Sequence, residues 1–134
     1  MNKNVNCIML VDDNPDDNFV HERVIKKNMT QTSIITKTSA LEALEYLKGR
    51  ASHNESHPDL IFLDINMPGM NGWEFLEEYK KLDKELQSRV IVVMLTTSDD
   101  PDDKRKAHLL GVPFDFQTKP LTKEMLESVL EKYC

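Results

Sequence analysis

Cysteine, glycine and basic charge are all in short supply in this chain. Its 134 residues include two cysteines, Cys7 and Cys134, at opposite ends. A disulfide framework or zinc site needs more thiols at closer spacing, so these read as a buried thiol in the first strand and a free one at the C-terminus. Four glycines supply no Gly-rich loop after the first strand to cradle a nucleotide or flavin phosphate. With 17 basic against 23 acidic residues the net charge is −6, which argues against a nucleic-acid-binding or anionic-membrane surface. The apolar stretch from Cys7 to Val11 is too short for a signal-peptide core, and no later run approaches a membrane span. The expectation is a reduced, cytoplasmic protein. Linkers, low-complexity segments and internal repeats are also missing, so residues 1–134 read as a single domain.

What is present is a rhythm of strands and helices. Cys7 to Val11 and Leu60 to Leu63 are continuously apolar, as is Val90 to Leu95, and each run ends in polar residues. Such runs have the character of buried parallel strands. Ser33 to Thr38 and Phe114 to Thr118 alternate instead, as edge strands with one exposed side do. Between them lie helical patterns. Pro15, with Asp16 and Asp17, suits the start of a helix whose apolar residues are Phe19, Val20, Val24 and Ile25, ending near Asn28. Ser39-Ala40-Leu41-Glu42 is a capping-box pattern ahead of Leu41, Leu44, Tyr46 and Leu47, with Gly49 as the expected stop. Arg50 to Pro58 reads as a polar loop, and its His53 and His57 as solvated residues rather than a metal pair, since no helical pattern surrounds them.

A third helix is expected from Asn71 or Gly72, with Trp73, Phe75, Leu76, Tyr79 and Leu82 as its apolar residues. A fourth, thinly apolar one carries Ala107, Leu109 and Leu110 and stops at Gly111. A fifth is capped by Thr122 and carries Met125, Leu126, Val129, Leu130 and Tyr133. Five strands alternating with five helices predict an α/β, three-layer (βα)5 fold with a parallel sheet covered on both faces. Placing the apolar runs inside and the alternating ones outside gives the flavodoxin-like order 2-1-3-4-5.

That order makes a functional prediction. It brings Asp12 and Asp13, Asp64, Thr96 and Lys119 from four separate strand ends into one crevice. Three crowded carboxylates lose charge unless a cation compensates, and oxygen-only ligands suit Mg²⁺. Asp64 is then the nucleophile for a phosphoryl group, Lys119 and the metal offset charge on the transferring oxygens, and the Thr96 hydroxyl donates to the product. Each piece alone is weak, because Lys-Pro, Thr-Thr-Ser and Asp-Asp-x-Pro commonly mark turns and caps. Together, at successive strand ends, they make a much stronger pattern.

The stretches Leu10-Val11-Asp12-Asp13-Asn14, Leu63-Asp64-Ile65-Asn66-Met67-Pro68-Gly69-Met70-Asn71-Gly72, Met94-Leu95-Thr96-Thr97 and Thr118-Lys119-Pro120 resemble the receiver domain of bacterial two-component response regulators. Their order and spacing match across essentially the whole chain, which is similar in size to stand-alone chemotaxis-type receivers. The resemblance implies Asp64 as phosphoacceptor, and Asp12, Asp13 and Asp64 as Mg²⁺ ligands with the Asn66 backbone carbonyl. It implies Lys119 as the phosphoryl-binding lysine, Thr96 and Phe116 as switch residues, and a cis peptide before Pro120. Phenylalanine where tyrosine is common removes a hydroxyl, so Phe116 reads either as a weaker reporter of state or as an edge-strand residue packed inward. The longer Gly49–Pro58 segment departs from the pattern.

The implied partners are a sensor histidine kinase or histidine phosphotransfer protein and a downstream protein that reads the fourth helix, fifth strand and fifth helix. No nucleic acid or membrane is expected, nor an output domain, and the assembly is a monomer or weak homodimer. The chain is not expected to be an enzyme beyond its own phosphotransfer and dephosphorylation. Two other classes are weighed. A non-phosphorylated scaffold would normally lack one of the acidic pair, the acceptor or the lysine. A Mg²⁺-dependent aspartyl-phosphate hydrolase would need a second carboxylate two residues after Asp64, where Asn66 stands.

Overall fold

The computed structural model describes residues 5–29, 31–53, 58–65, 67, 69–82, 91–96, 105, 114–119 and 121–133. Five strands form one parallel sheet: β1 (Cys7–Val11), β2 (Ser33–Lys37), β3 (Leu60–Asp64), β4 (Ile91–Thr96) and β5 (Phe114–Thr118), in the order β2-β1-β3-β4-β5. The helices are α1 (Pro15–Asn28), α2 (Ala40–His53), α3 (Gly72–Lys80) and α4 (Lys123–Tyr133). The expected topology is therefore the observed one. The expected helix around Ala107 to Leu110, with its stop at Gly111, lies outside the described residues, and α4 is the fifth of the expected helices.

Burial follows the two-residue period of the strands. Met9 and Val11 of β1, Ile61 and Leu63 of β3, and Val92 and Met94 of β4 point to one face, where α2 and α3 cover them with Ala43, Leu44, Leu47, Phe75, Leu76 and Tyr79. Ile8, Leu10, Leu60, Phe62, Val93 and Leu95 point to the other face, under Ile25 of α1 and Leu126, Val129 and Leu130 of α4. Because both faces are covered, β1 and β3 are buried at every position, whereas β2 at the edge is only partly so.

Local signals set most helix starts. Pro15 stands in the first turn of α1, and the Asn14 side chain accepts from the Asp16 amide at 2.9 Å. Asn71 caps α3 in a full capping box with Glu74, each side chain accepting from the other's amide at 2.9 Å. Thr122 Oγ1 accepts from the Met125 amide ahead of α4. At α2 the box is altered: Ser39 Oγ accepts from the Glu42 amide, but Glu42 reaches back to the Thr38 amide and hydroxyl rather than to Ser39.

Two sequence expectations need correction. Gly49 does not stop α2, which runs on to His53, so the segment predicted as loop begins in a helix. A glycine inside a helix costs about 1 kcal/mol relative to alanine, a cost that a packed helix absorbs. It terminates one only by taking a left-handed conformation, and among the described glycines positive φ is found at Gly69. His57 lies outside the described residues. The apolar stripes were also misassigned in part. Phe19 and Val20 are 59% and 48% exposed and Leu41 is 56% exposed. The inward face of α1 is Asn18, His21 and Ile25, and that of α2 is Ala40, Ala43, Leu44 and Leu47.

Cys7 is buried as expected, and its thiol is pushed up from 9.0 to about 11, by burial first and by the Asp59 charge second. Asp59 is itself buried and accepts from the amides of Asn6 and Cys7 at 2.7 and 3.1 Å. A raised thiol pKa contributes stability that is fully present below the unfolded value and lost as pH rises from about 9 toward 11. In a Cys134→Ser variant at pH 8, only about one Cys7 thiol in a thousand is ionised at that pKa, so Ellman's reagent should react very slowly until urea unfolds the chain. Reaction of the native protein at the rate of a free thiol would contradict this burial.

Candidate functional site

The parallel arrangement puts the C-terminal ends of β1, β3, β4 and β5 along one rim of the sheet. Asp12 directly follows β1, Asp64 ends β3 opposite Leu95, Thr96 ends β4 opposite Thr118, and Lys119 directly follows β5. Carboxylate oxygens of Asp12, Asp13 and Asp64 lie within 4.8 Å of one another. Asp12 and Asp64 are buried, at 2% and 6% exposure, and Asp13 is exposed. The structure thus brings together the three predicted acids and the lysine from segments more than fifty residues apart. Asn66 and Pro120 lie outside the described residues, and of Thr96 and Phe116 only the strand backbone is described.

Lys119 is the centre of the local electrostatics. Its Nζ donates to Asp12 Oδ2 at 2.6 Å and to Asp17 Oδ2 at 3.0 Å, and stands 3.5 Å from Asp64 Oδ1. Burial alone depresses the lysine, but the hydrogen bonds to Asp12 and Asp17 and the charges of Asp12 and Asp64 more than reverse it. The ammonium pKa ends above its usual value. Lys119 is therefore a fixed positive charge across the physiological range.

Asp12 is held on every side. Its Oδ1 accepts from the Asn14 amide at 3.0 Å, its amide donates to the Lys37 carbonyl, and its carbonyl accepts from Asn18 Nδ2 at 3.1 Å. Asn18 Nδ2 also donates to the Lys37 carbonyl at 3.2 Å, so one buried amide of α1 ties the ends of β1 and β2 together. These bonds orient Asp12 without satisfying its charge, which is left to Lys119 and to whatever binds the acidic trio.

Three residues of this neighbourhood were not singled out in the sequence. Asp17 was read as a helix-start acid, yet its side chain faces Lys119. Asn18 and His21 were given no role and are buried. Burial lowers the His21 pKa and the Lys119 charge lowers it further, while Asp12 and Asp17 oppose. A signal existed: positions 17 and 18 each lie one helical turn before 21, which lies one turn before Ile25. Apolar periodicity passes over it because two of the three are charged or amide residues.

The donor set fits a hard divalent cation. All the side-chain donors are carboxylate oxygens, one is exposed to solvent so that water can complete a shell, and one ammonium offsets only part of the charge. Asp17, bonded to the same ammonium, adds a fourth carboxylate to the three named from the sequence.

An acidic trio with two buried members at the switch point of a five-stranded parallel sheet, with a lysine locked against it, defines a class of α/β proteins that handle phosphoryl groups. The chain belongs to the response regulator receiver domain family, whose model matches residues 8–131. It is 35% identical over 106 residues to response regulator Rcp1 of Synechocystis sp., covering 78% of this chain and 71% of that protein. Among solved structures it resembles a two-component response regulator from Cytophaga hutchinsonii, with TM-score 0.82, 30% identity and 97% of each chain covered. It also resembles the phosphorylated cyanobacterial phytochrome response regulator RcpA, with TM-score 0.74, 32% identity, and 96% of this chain and 90% of that one covered. Of two hybrid signal transduction histidine kinases from Dictyostelium discoideum, the chain spans 10% and 7%. The protein is a receiver domain of the two-component type, and its role is phosphorylation-dependent signalling. No helix among the described residues is long and apolar enough to cross a membrane.

The turn after Asp64 leaves no slack. The Gly72 amide donates to the Ile65 carbonyl at 2.8 Å, and a Cβ on Gly72 would meet Ile65 Cα at 2.9 Å and the Asp64 carbonyl at 3.2 Å. Gly72→Ala should therefore destabilise by about 1–3 kcal/mol in a urea titration, because backbone rather than a side-chain tip must move. An unchanged midpoint would mean that the α3 start is looser than this geometry.

Proposed function

We propose that Asp64 is the phosphoacceptor and that Asp12, Asp13 and Asp64, with the backbone carbonyl of Asn66, hold Mg²⁺. The observation that carries this reading is the Lys119 ammonium seated between Asp12 and Asp64, beside a trio of carboxylates spaced for one cation. Bound there, Mg²⁺ supplies charge neutralisation at the transferring oxygens. The chain's own residues do the rest. An Asp64 carboxylate oxygen attacks phosphorus, a carboxylate–phosphorus bond forms, and the bond from phosphorus to the donor's nitrogen or oxygen breaks with its electron pair leaving on the donor. Lys119 needs only a small movement from Asp64 Oδ1 to reach an oxygen of the new phosphoryl group.

Thr96, at the end of β4, supplies a hydroxyl donor to that group, and Phe116 on β5 reports the change, consistent with the register that sets Phe116 opposite Met94. A histidine kinase or phosphotransfer protein is the donor, and a cytoplasmic site of action follows from donors charged by ATP. The readout is protein–protein contact through the region following β4 together with β5 and α4. Residues 1–134 act as one receiver unit and catalyse no turnover of a separate substrate.

Intact mass after incubation with Mg²⁺ and acetyl phosphate tests this reading. The native protein should gain one phosphoryl group, and Asp64→Asn should gain none. No gain in the native protein would favour a scaffold, and release of phosphate far beyond one equivalent would favour a hydrolase. Asp13→Ala should weaken Mg²⁺ binding by about tenfold or more in a calorimetric titration. Unchanged affinity would mean the ligands are wrongly assigned.

A further inference from the structure

Asp17 has a part in the site beyond starting a helix. Two acids, Asp16 and Asp17, occupy the first turn of α1, where either suits the positive end of the helix dipole. Of the two it is Asp17 that turns to Lys119, at 3.0 Å, with its side chain 40% exposed at the rim of the acidic cleft. It stands outside the trio whose oxygens converge within 4.8 Å. It is therefore placed to hold the lysine without occupying the position of a cation.

The ammonium has a conflict to resolve. It lies 2.6 Å from Asp12 Oδ2 and 3.5 Å from Asp64 Oδ1, so it sits on two of the carboxylates that a divalent cation needs. The other Asp12 oxygen is engaged by the Asn14 amide at 3.0 Å. A cation entering the trio is repelled by an ammonium bonded to Asp12 and must displace it. The rim acceptor already bonded to that ammonium is Asp17. We propose that Asp17 is a positioning residue, an acceptor onto which Lys119 is drawn as a divalent cation takes Asp12 and Asp64, and that it thereby raises cation affinity through the lysine.

The inference rests on the cation-dependent phosphoacceptor reading above, and the experiment separates the two. Mg²⁺ is titrated calorimetrically into the native protein and into Asp17→Ala, Asp17→Asn, Lys119→Met and the double variant Asp17→Ala/Lys119→Met. Circular dichroism first establishes that each is folded. Asp17→Ala should weaken Mg²⁺ binding about three- to fivefold, the worth of a half-exposed charged pair. Asp17→Asn, which keeps an acceptor oxygen, should recover part of that loss. In the Lys119→Met background the same alanine substitution should change affinity by less than about 1.5-fold, because the lysine through which it acts is gone.

A loss of equal size in both backgrounds would show Asp17 acting directly on the cation and would overturn the proposal, as would no loss with Lys119 present. Native protein that binds no Mg²⁺ would instead sink the phosphoacceptor reading itself. A second readout needs no lysine substitution. In Asp17→Ala, the Mg²⁺ concentration for half-maximal phosphorylation by acetyl phosphate should rise about three- to fivefold, with the saturated rate within about twofold of native. A lowered saturated rate at unchanged half-saturation would also overturn it.

Discussion

One ammonium group ties the functional end of this molecule together. Lys119 Nζ reaches Asp12 after β1, Asp17 on α1 and Asp64 at the end of β3, so elements distant in sequence meet at a single charge. Carboxylates packed this closely repel one another, and the lysine offsets part of that repulsion. It does so incompletely. In the proposed reading, the charge that remains makes the site receptive to a divalent cation, and the cation in turn makes it receptive to a phosphoryl group.

The sheet exists to make that meeting possible. Because all five strands are parallel, every C-terminal end falls on the same side, and the order β2-β1-β3-β4-β5 makes β1 and β3 neighbours with β4 next. The apolar faces are covered by helix pairs, α2 with α3 and α1 with α4, so the strands are fixed by packing while their ends stay available for chemistry. Gly72 shows how close the scaffold comes: α3 begins against the backbone of Ile65 and Asp64 with no room for a methyl group. Asn18 plays a similar part on the other side, tying α1 to the ends of β1 and β2 from a buried position.

The sequence was legible where one physical signal acted alone. Continuous apolar runs named the buried strands, and Pro15, Asn71 and Thr122 marked helix starts through capping that depends on a few neighbouring residues. Legibility failed where local signals competed with packing. Gly49 suggests a helix end by propensity, yet α2 continues through it to His53. Phe19, Val20 and Leu41 look like core by hydrophobicity and are exposed, because the phase of each helix against the sheet is set by the whole face it buries. For α1 that face includes Asn18 and His21, whose polarity hid them from an apolar-periodicity reading.

The sequence by itself determined the element order, the parallel (βα)5 architecture, the neighbourhood of Asp12, Asp13, Asp64 and Lys119, and through their motifs the receiver family. It could do so because strand-end residues are placed by topology, and topology follows from hydrophobic pattern. Tertiary structure alone decided which of the two first-turn acids faces the lysine, that His21 and Asn18 lie buried beneath the site, and that Lys119 bonds Asp12 and Asp17 more closely than Asp64. Those outcomes depend on helix phase, on side-chain direction and on distances of a few tenths of an ångström. They are set by how α1 packs on the sheet, and no stretch of sequence read on its own contains that.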